Sequence, residues 1–102
     1  MALINLDSAL QEALRIITTR PIGSGIELMS YKRNRSVALI RTSNNRVIMK
    51  EKGYVERNSD LELTSLKKTL KTAISREFPR SRKIRFHRFN DVAELERIHQ
   101  KI

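Results

Sequence analysis

The chain reads as an α+β fold with elements in the order α-β-β-β-α-β-α, a small antiparallel sheet with helices packed mainly on one face. Three observations predict it. Two stretches, residues 6–19 and 59–77, repeat apolar residues at helical spacing. Two others, 26–55 and 83–89, concentrate β-branched and aromatic residues in short runs. The breaks inside 26–55 are "RNR" and "SNN", whose asparagines suit tight turns between antiparallel neighbours. At 102 residues and 39% apolar content there is room for a single domain, 1–102, built on one modest core.

The elements follow in order. Leu6, Leu10, Ala13, Leu14 and Ile17 fall on one stripe of a helix from about Asp7 to Thr19, with Asp7 or Ser8 available as its cap. "RPIGSG" at 20–25 breaks the pattern with a proline and two glycines, a loop. "IELMSYK", "SVALIRT" and "RVIMKEKGYV" then predict a three-stranded antiparallel meander. Its second strand offers Val37 and Leu39 to one side and Ala38 and Ile40 to the other, so the pattern leaves the buried face open.

"SDLE" at 59–62 has the spacing of a capping box, and a helix is expected from there to about Glu77. Leu63, Leu66, Leu70, Ala73 and Ile74 form its apolar stripe, and Pro79 stops it by driving Phe78 out of helical dihedrals. "KIRFHRF" alternates, Ile84 and Phe86 facing one way and Lys83, Arg85 and His87 the other, as in a fourth strand. "DVAE" at 91–94 opens a last short helix with Val92, Leu95, Ile98 and Ile102 inward.

Composition removes several function classes. With no cysteine there is no disulfide framework, thiolate nucleophile, cysteine zinc site or iron–sulfur cluster. The first twenty residues carry Asp7 and Glu12 in a helical pattern, unlike a signal or transit peptide, and the longest clean apolar run is "VALI" at 37–40, so a cytoplasmic protein without a membrane span is expected. No Walker, Rossmann or nucleophile-elbow pattern occurs, and "GSG" at 23–25 precedes a strand, where it reads as a plain loop. No cofactor is expected. The carboxylates are scattered, Glu96 and His99 are a chance pair, and no metal is expected either.

The positive signal is a net charge of +10, and it is concentrated. Residues 65–88 net +8, residues 28–50 net +6, and the remainder is acidic. On the second helix Lys67, Lys68 and Lys71 lie within one arc with Thr64 and Ser75, away from the apolar stripe, and none has an acid three or four residues away. The first helix, by contrast, interleaves signs with Glu12 near Arg15. Arg80, Arg82, Lys83, Arg85, His87 and Arg88 follow directly, so one basic surface from Lys67 to Arg88 forms if the helix and the fourth strand pack side by side. With 13 Arg against 8 Lys, planar forks suited to phosphate predominate. Aromatic residues are 5% of the chain, Phe86 is assigned to the core, and Tyr31, Tyr54 and Phe89 are left for base stacking. Phosphate-backbone recognition of a duplex fits this composition better than base stacking on a single strand.

Residues 7–77, a helix, three strands and a helix carrying "KKTLK" on its exposed face, resemble the double-stranded RNA-binding domain, whose last helix sets a Lys-Lys-x-x-Lys cluster across phosphates. The resemblance implies RNA as partner and Lys67, Lys68 and Lys71 as phosphate contacts. "KRNRS" stands where that family has a longer loop with a Gly-Pro-x-His type motif, its lysines sit at the helix start, and the strand and helix after Pro79 have no counterpart in it.

The sequence therefore predicts a small basic domain that binds nucleic acid, RNA favoured, through Lys67, Lys68, Lys71, Arg80, Arg82, Lys83, Arg85, His87 and Arg88. An enzyme is not expected. Two other readings use the same charge: a protein-interaction module that docks an acidic partner within a larger complex, and a small ribonuclease using His87 as its acid–base group.

Overall fold

The computed structural model describes residues 2–30, 32, 34–53, 56–79 and 82–91. Their order is β1 (Ala2–Asn5), α1 (Leu6–Ile17), β2 (Gly25–Met29), β3 (Ser36–Arg41), β4 (Arg46–Lys52), β5 (Arg57–Glu62), α2 (Leu66–Glu77) and β6 (Lys83–Phe89), with one 3-10 turn at Leu63–Ser65 before α2. The strands form one six-stranded sheet in the order β1-β6-β2-β3-β4-β5, and every neighbouring pair is antiparallel. This is an α+β fold, as the sequence predicts, and α1 and α2 pack on the same face of the sheet.

Alternation along each strand decides the layering. Ile26 and Leu28, Val37 and Leu39, Val47 and Met49, and Ile84 and Phe86 point to the helices. There they meet Ala9, Ala13, Ile16 and Ile17 of α1 and Leu66, Leu70, Ala73 and Ile74 of α2, in one continuous core closed at its end by Phe78. The opposite side chains of the central strands are buried as well: Ala38, Ile40 and Phe89 form a second, smaller cluster with Ile48 beside it. The unbroken "VALI" run belongs to a strand with two buried faces, which is why its pattern could not choose between them.

The meander β2-β3-β4 and the strand at 83–89 agree with the sequence reading. Two strands were not foreseen. β1 lies outside β6 on one edge, and β5 extends the meander on the other. The expected capping box is not formed: Ser59 and Glu62 belong to β5, paired with Met49 and Arg46, because this stretch takes up the free edge of β4. The helix starts instead at Leu66, with Ser65 in the cap position and no side-chain cap bond. Likewise α1 begins at Leu6 with Asn5 at its cap, so Asp7 sits in its first turn and not at the cap. The helix expected from residue 91 onward lies outside the described residues. With β5 between the meander and α2, the α-β-β-β-α order shared with the double-stranded RNA-binding domain does not hold.

Buried charge ties the layers together. Arg41 is 9% exposed, and its guanidinium donates to the carbonyls of Ile17 (2.8 Å) and Thr18 (2.9 Å) at the end of α1 and of Ser43 (2.9 Å) and Asn44 (2.6 Å) in the β3–β4 loop. Glu51 on β4 is 2% exposed and takes both oxygens to Arg76 of α2, at 2.7 Å each. The Arg76 hydrogen bonds hold the Glu51 carboxyl below its usual pKa against the opposing effect of burial, with help from Glu77 and the nearby Arg57.

Candidate nucleic-acid interface

The sequence places three lysines on α2, and the structure shows what they do to that helix. Lys67 and Lys68 fall in its first turn, because the helix begins only at Leu66, and Lys71 follows one turn later. All three are exposed, together with Thr64 and Ser75. The first turn holds no acid and the cap position makes no side-chain bond. Cations at the positive end of a helix dipole are unfavourable, where Asp or Glu would be favourable, by about 0.3–1 kcal/mol each before solvent screening reduces it. Among the described residues no ion pair or hydrogen bond reaches these three side chains. Three described acids are paired with arginines: Glu12 with Arg15 at 2.7 Å, Asp60 with Arg46 at 3.0 Å, and Glu51 with Arg76.

The structure also divides the basic segments by role. Arg76, counted with the first, is held by Glu51, and Arg41 and Arg46, counted with the second, are spent on carbonyls and on Asp60. Two of the six cations at 28–50 are therefore committed to partners within the fold.

The single surface expected from Lys67 to Arg88 is not formed in that way. Because Ile84 and Phe86 point into the core beneath the helices, Lys83, Arg85 and His87 project from the opposite face of the sheet. Arg88 returns to the helix side: the Glu12 carboxyl, held low first by its Arg15 hydrogen bond, also feels the charge of Arg88. Arg82 is exposed where the chain passes from α2 to β6, and its carbonyl accepts the backbone N–H of Leu6 at 2.8 Å, beside the start of α1. Arg80 lies outside the described residues. The eight described positions of the nine thus fall into a helix-side group, Lys67, Lys68, Lys71, Arg82 and Arg88, and a sheet-face group, Lys83, Arg85 and His87.

On the sheet face the register adds two cations that the sequence reading passed over. Lys50 pairs with Ala38 and Lys52 with Ser36 across β3–β4, on the same face as Phe89 and Ile40. Their mark in the sequence was the alternation of "RVIMKEK", legible once Val47 and Met49 are known to face inward. His87 sits opposite Glu27 across β2–β6, half-buried, and its Nε2 atom is enclosed without a hydrogen-bond partner. Phe89 is wholly buried and does not serve as a stacking platform; Tyr31 and Tyr54 lie outside the described residues. No three His, Asp or Glu side chains come together in a metal-binding group among the described residues, and no described helix is long and apolar enough to cross a membrane.

One groove adjoins the lysine helix. It is an open depression of about 430 Å³ between the first turns of α1 and the second half of α2, lined by Leu6, Asp7, Leu10, Lys71, Ile74, Ser75, Phe78 and Pro79.

Among the described residues, fold and charge together define a class: a basic α+β domain with two helices on one face of a six-stranded antiparallel sheet and an unpaired lysine face turned outward. No protein-family model, curated protein or solved structure matches the chain.

Proposed function

We propose that this protein binds the phosphate backbone of nucleic acid, RNA foremost, through the outward face of α2. The observation that carries the reading is the placement of Lys67, Lys68 and Lys71 at the positive, acid-free start of a helix, with no partner among the described residues. This arrangement is unfavourable for the helix in isolation. A phosphate seated there reverses the sign of every term: it neutralises the lysines, interacts favourably with the helix dipole, and releases counterions. Exposed Arg82 and Arg88 extend the positive field on the helix side, while Lys83 and Arg85 form a separate sheet-face contribution with His87 between Arg85 and Phe89 on the same face.

The test is a titration of duplex RNA, single-stranded RNA and duplex DNA from about 50 to 200 mM salt. Three phosphate contacts give a log–log salt slope of about −2.7 on a duplex, a loss of roughly 40-fold over that range. Replacing Lys67, Lys68 and Lys71 by Ala lowers the slope magnitude by about one unit per contact and weakens all sequences alike. Unchanged binding in the triple variant would move the interface to the sheet face. Absence of binding near 150 mM salt would sink the nucleic-acid reading and leave an acidic protein as the partner.

A further inference from the structure

We infer that the groove between α1 and α2 receives one unpaired nucleotide, so that the nucleic acid bound is single-stranded, looped or bulged at this point. The inference rests on the proposed nucleic-acid reading and adds to it a ligand form and a second set of residues. The groove and the lysine face share one helix: Lys71 stands at the groove rim one turn beyond Lys67 and Lys68, and Ser75 follows on the same side. A strand whose phosphates lie along these lysines passes the mouth of the groove.

Size selects the occupant. The groove is bounded by residues 6 to 10 on α1 and 71 to 75 on α2, with Phe78 and Pro79 beyond its end, about 6 Å of each helix at 1.5 Å per residue. A helical peptide needs about 12 residues, or some 18 Å, before it is even marginally stable, and would overhang at both ends. A volume of about 430 Å³ falls instead in the range of small-ligand pockets, roughly 300–1,000 Å³. A base with its sugar suits such a space.

Chemistry sets the orientation. The lining is apolar at Leu6, Leu10, Ile74, Phe78 and Pro79, which favours the faces of a base over a charged group. Asp7 on the α1 side repels a phosphate placed inside, and Lys71 on the α2 side attracts one. The phosphate therefore stays at the lysine rim while the base enters, with the Asp7 carboxylate and the Ser75 hydroxyl left to meet its N–H groups or a ribose hydroxyl. A paired base must give up its pairing and stacking to enter, so an already unpaired nucleotide is preferred.

The experiment measures affinity near 150 mM salt for three RNAs whose total nucleotide number is matched to within one: a blunt duplex, the same duplex with one bulged nucleotide, and a single strand. Wild type is expected to bind the RNAs with an unpaired nucleotide at least tenfold tighter than the blunt duplex. Ser75→Tyr fills the groove from an exposed helix position; it is expected to abolish that preference while leaving duplex affinity within twofold, its fold checked by an unchanged melting curve. Equal affinity of wild type for all three RNAs, with binding still lost on replacing Lys67, Lys68 and Lys71, overturns the groove inference and leaves phosphate binding standing. A preference that survives Ser75→Tyr overturns it equally. No binding to any of the three removes both readings together.

Discussion

Replacing Arg41 by Met tests how this fold tolerates a buried cation that faces carbonyl groups. Met matches the length of the aliphatic stem and removes four hydrogen bonds, to Ile17, Thr18, Ser43 and Asn44, at 2.6–2.9 Å. The carbonyls of exposed Thr18 and Asn44 can turn to water, so their loss weighs little. The Ile17 carbonyl is enclosed, keeping a long 3.4 Å contact from the Arg20 N–H, and stripping it of its principal donor costs about 1–3 kcal/mol. Removing a partly buried cation from the end of α1 adds up to about 2 kcal/mol. Against these stands the relief of desolvating a guanidinium. The balance is a destabilisation of about 2–4 kcal/mol, a large share of the roughly 5–15 kcal/mol typical of a domain. In urea unfolding it appears as a fall in midpoint of roughly 1–2 M at unchanged slope. Arg41→Lys keeps the charge but cannot span the helix end and the loop together, and is expected to fall between Met and wild type. An R41M protein within about 0.5 kcal/mol of wild type, or above it, would refute the reasoning and show that desolvation dominates at this site.

Other outcomes follow from the same contacts. Because the Glu51 carboxyl is held low in the folded protein, its contribution to stability is complete above the ordinary carboxyl value of about 4.3 and is lost as pH falls through the lowered value. Glu51→Gln should therefore lower the melting temperature at pH 7 and flatten its dependence between about pH 5 and 2; parallel wild-type and variant profiles would exclude this pair as a source of acid sensitivity. At Gly25 an added Cβ would fall on the Leu39 carbonyl oxygen, 2.9 Å from the carbonyl carbon behind it and 2.9 Å from the Phe89 ring. Backbone cannot yield there without breaking the Gly25↔Ile40 register, so Gly25→Ala should cost about 1–3 kcal/mol and lower the melting temperature by at least about 5 °C in a thermal scan.

Most of the fold was legible because burial there follows one period at a time. α1, α2 and β6 show a clean helical or alternating pattern, and β6 runs over the same seven residues, 83–89, that the alternation picks out. The misses have physical causes. β5 reads "RNSDLE", with Ser59 and Leu61 half-buried and its other residues exposed, so its hydrophobic signal is faint, while the Ser-x-x-Glu spacing points to a helix start. What decides is the unsatisfied edge of β4, which local sequence does not display. β1 is four residues long and runs straight into α1, so it is too short to show an alternation of its own and has no turn to set it apart from the helix. For the interface, exposure of Lys67, Lys68 and Lys71 followed from helical periodicity. The facing of β6 relative to α2 did not, because it depends on which side of the sheet the crossing between them reaches. Nor could composition separate Arg41, Arg46 and Arg76, held by the fold, from cations left for a ligand.

The position of β6 carries a consequence for how the chain assembles. This strand comes last among the described elements yet lies between β1 and β2, pairing residues 2–5 with 83–86 and 25–29 with 85–89. Until it arrives, β2 has an open side in the middle of the future sheet and β1 has no neighbour at all. The meander β2-β3-β4-β5 can form early from sequential hairpins, whereas closure waits for contacts roughly sixty to eighty residues apart in sequence, the kind that slows folding. An intermediate stalled at that stage would expose an unpaired strand edge beside the apolar side chains of Ile26 and Leu28, a template for pairing with another chain. Chains halted before residue 83 should therefore aggregate, and substitutions in β6 should affect the yield of folded protein more than their equilibrium cost alone implies.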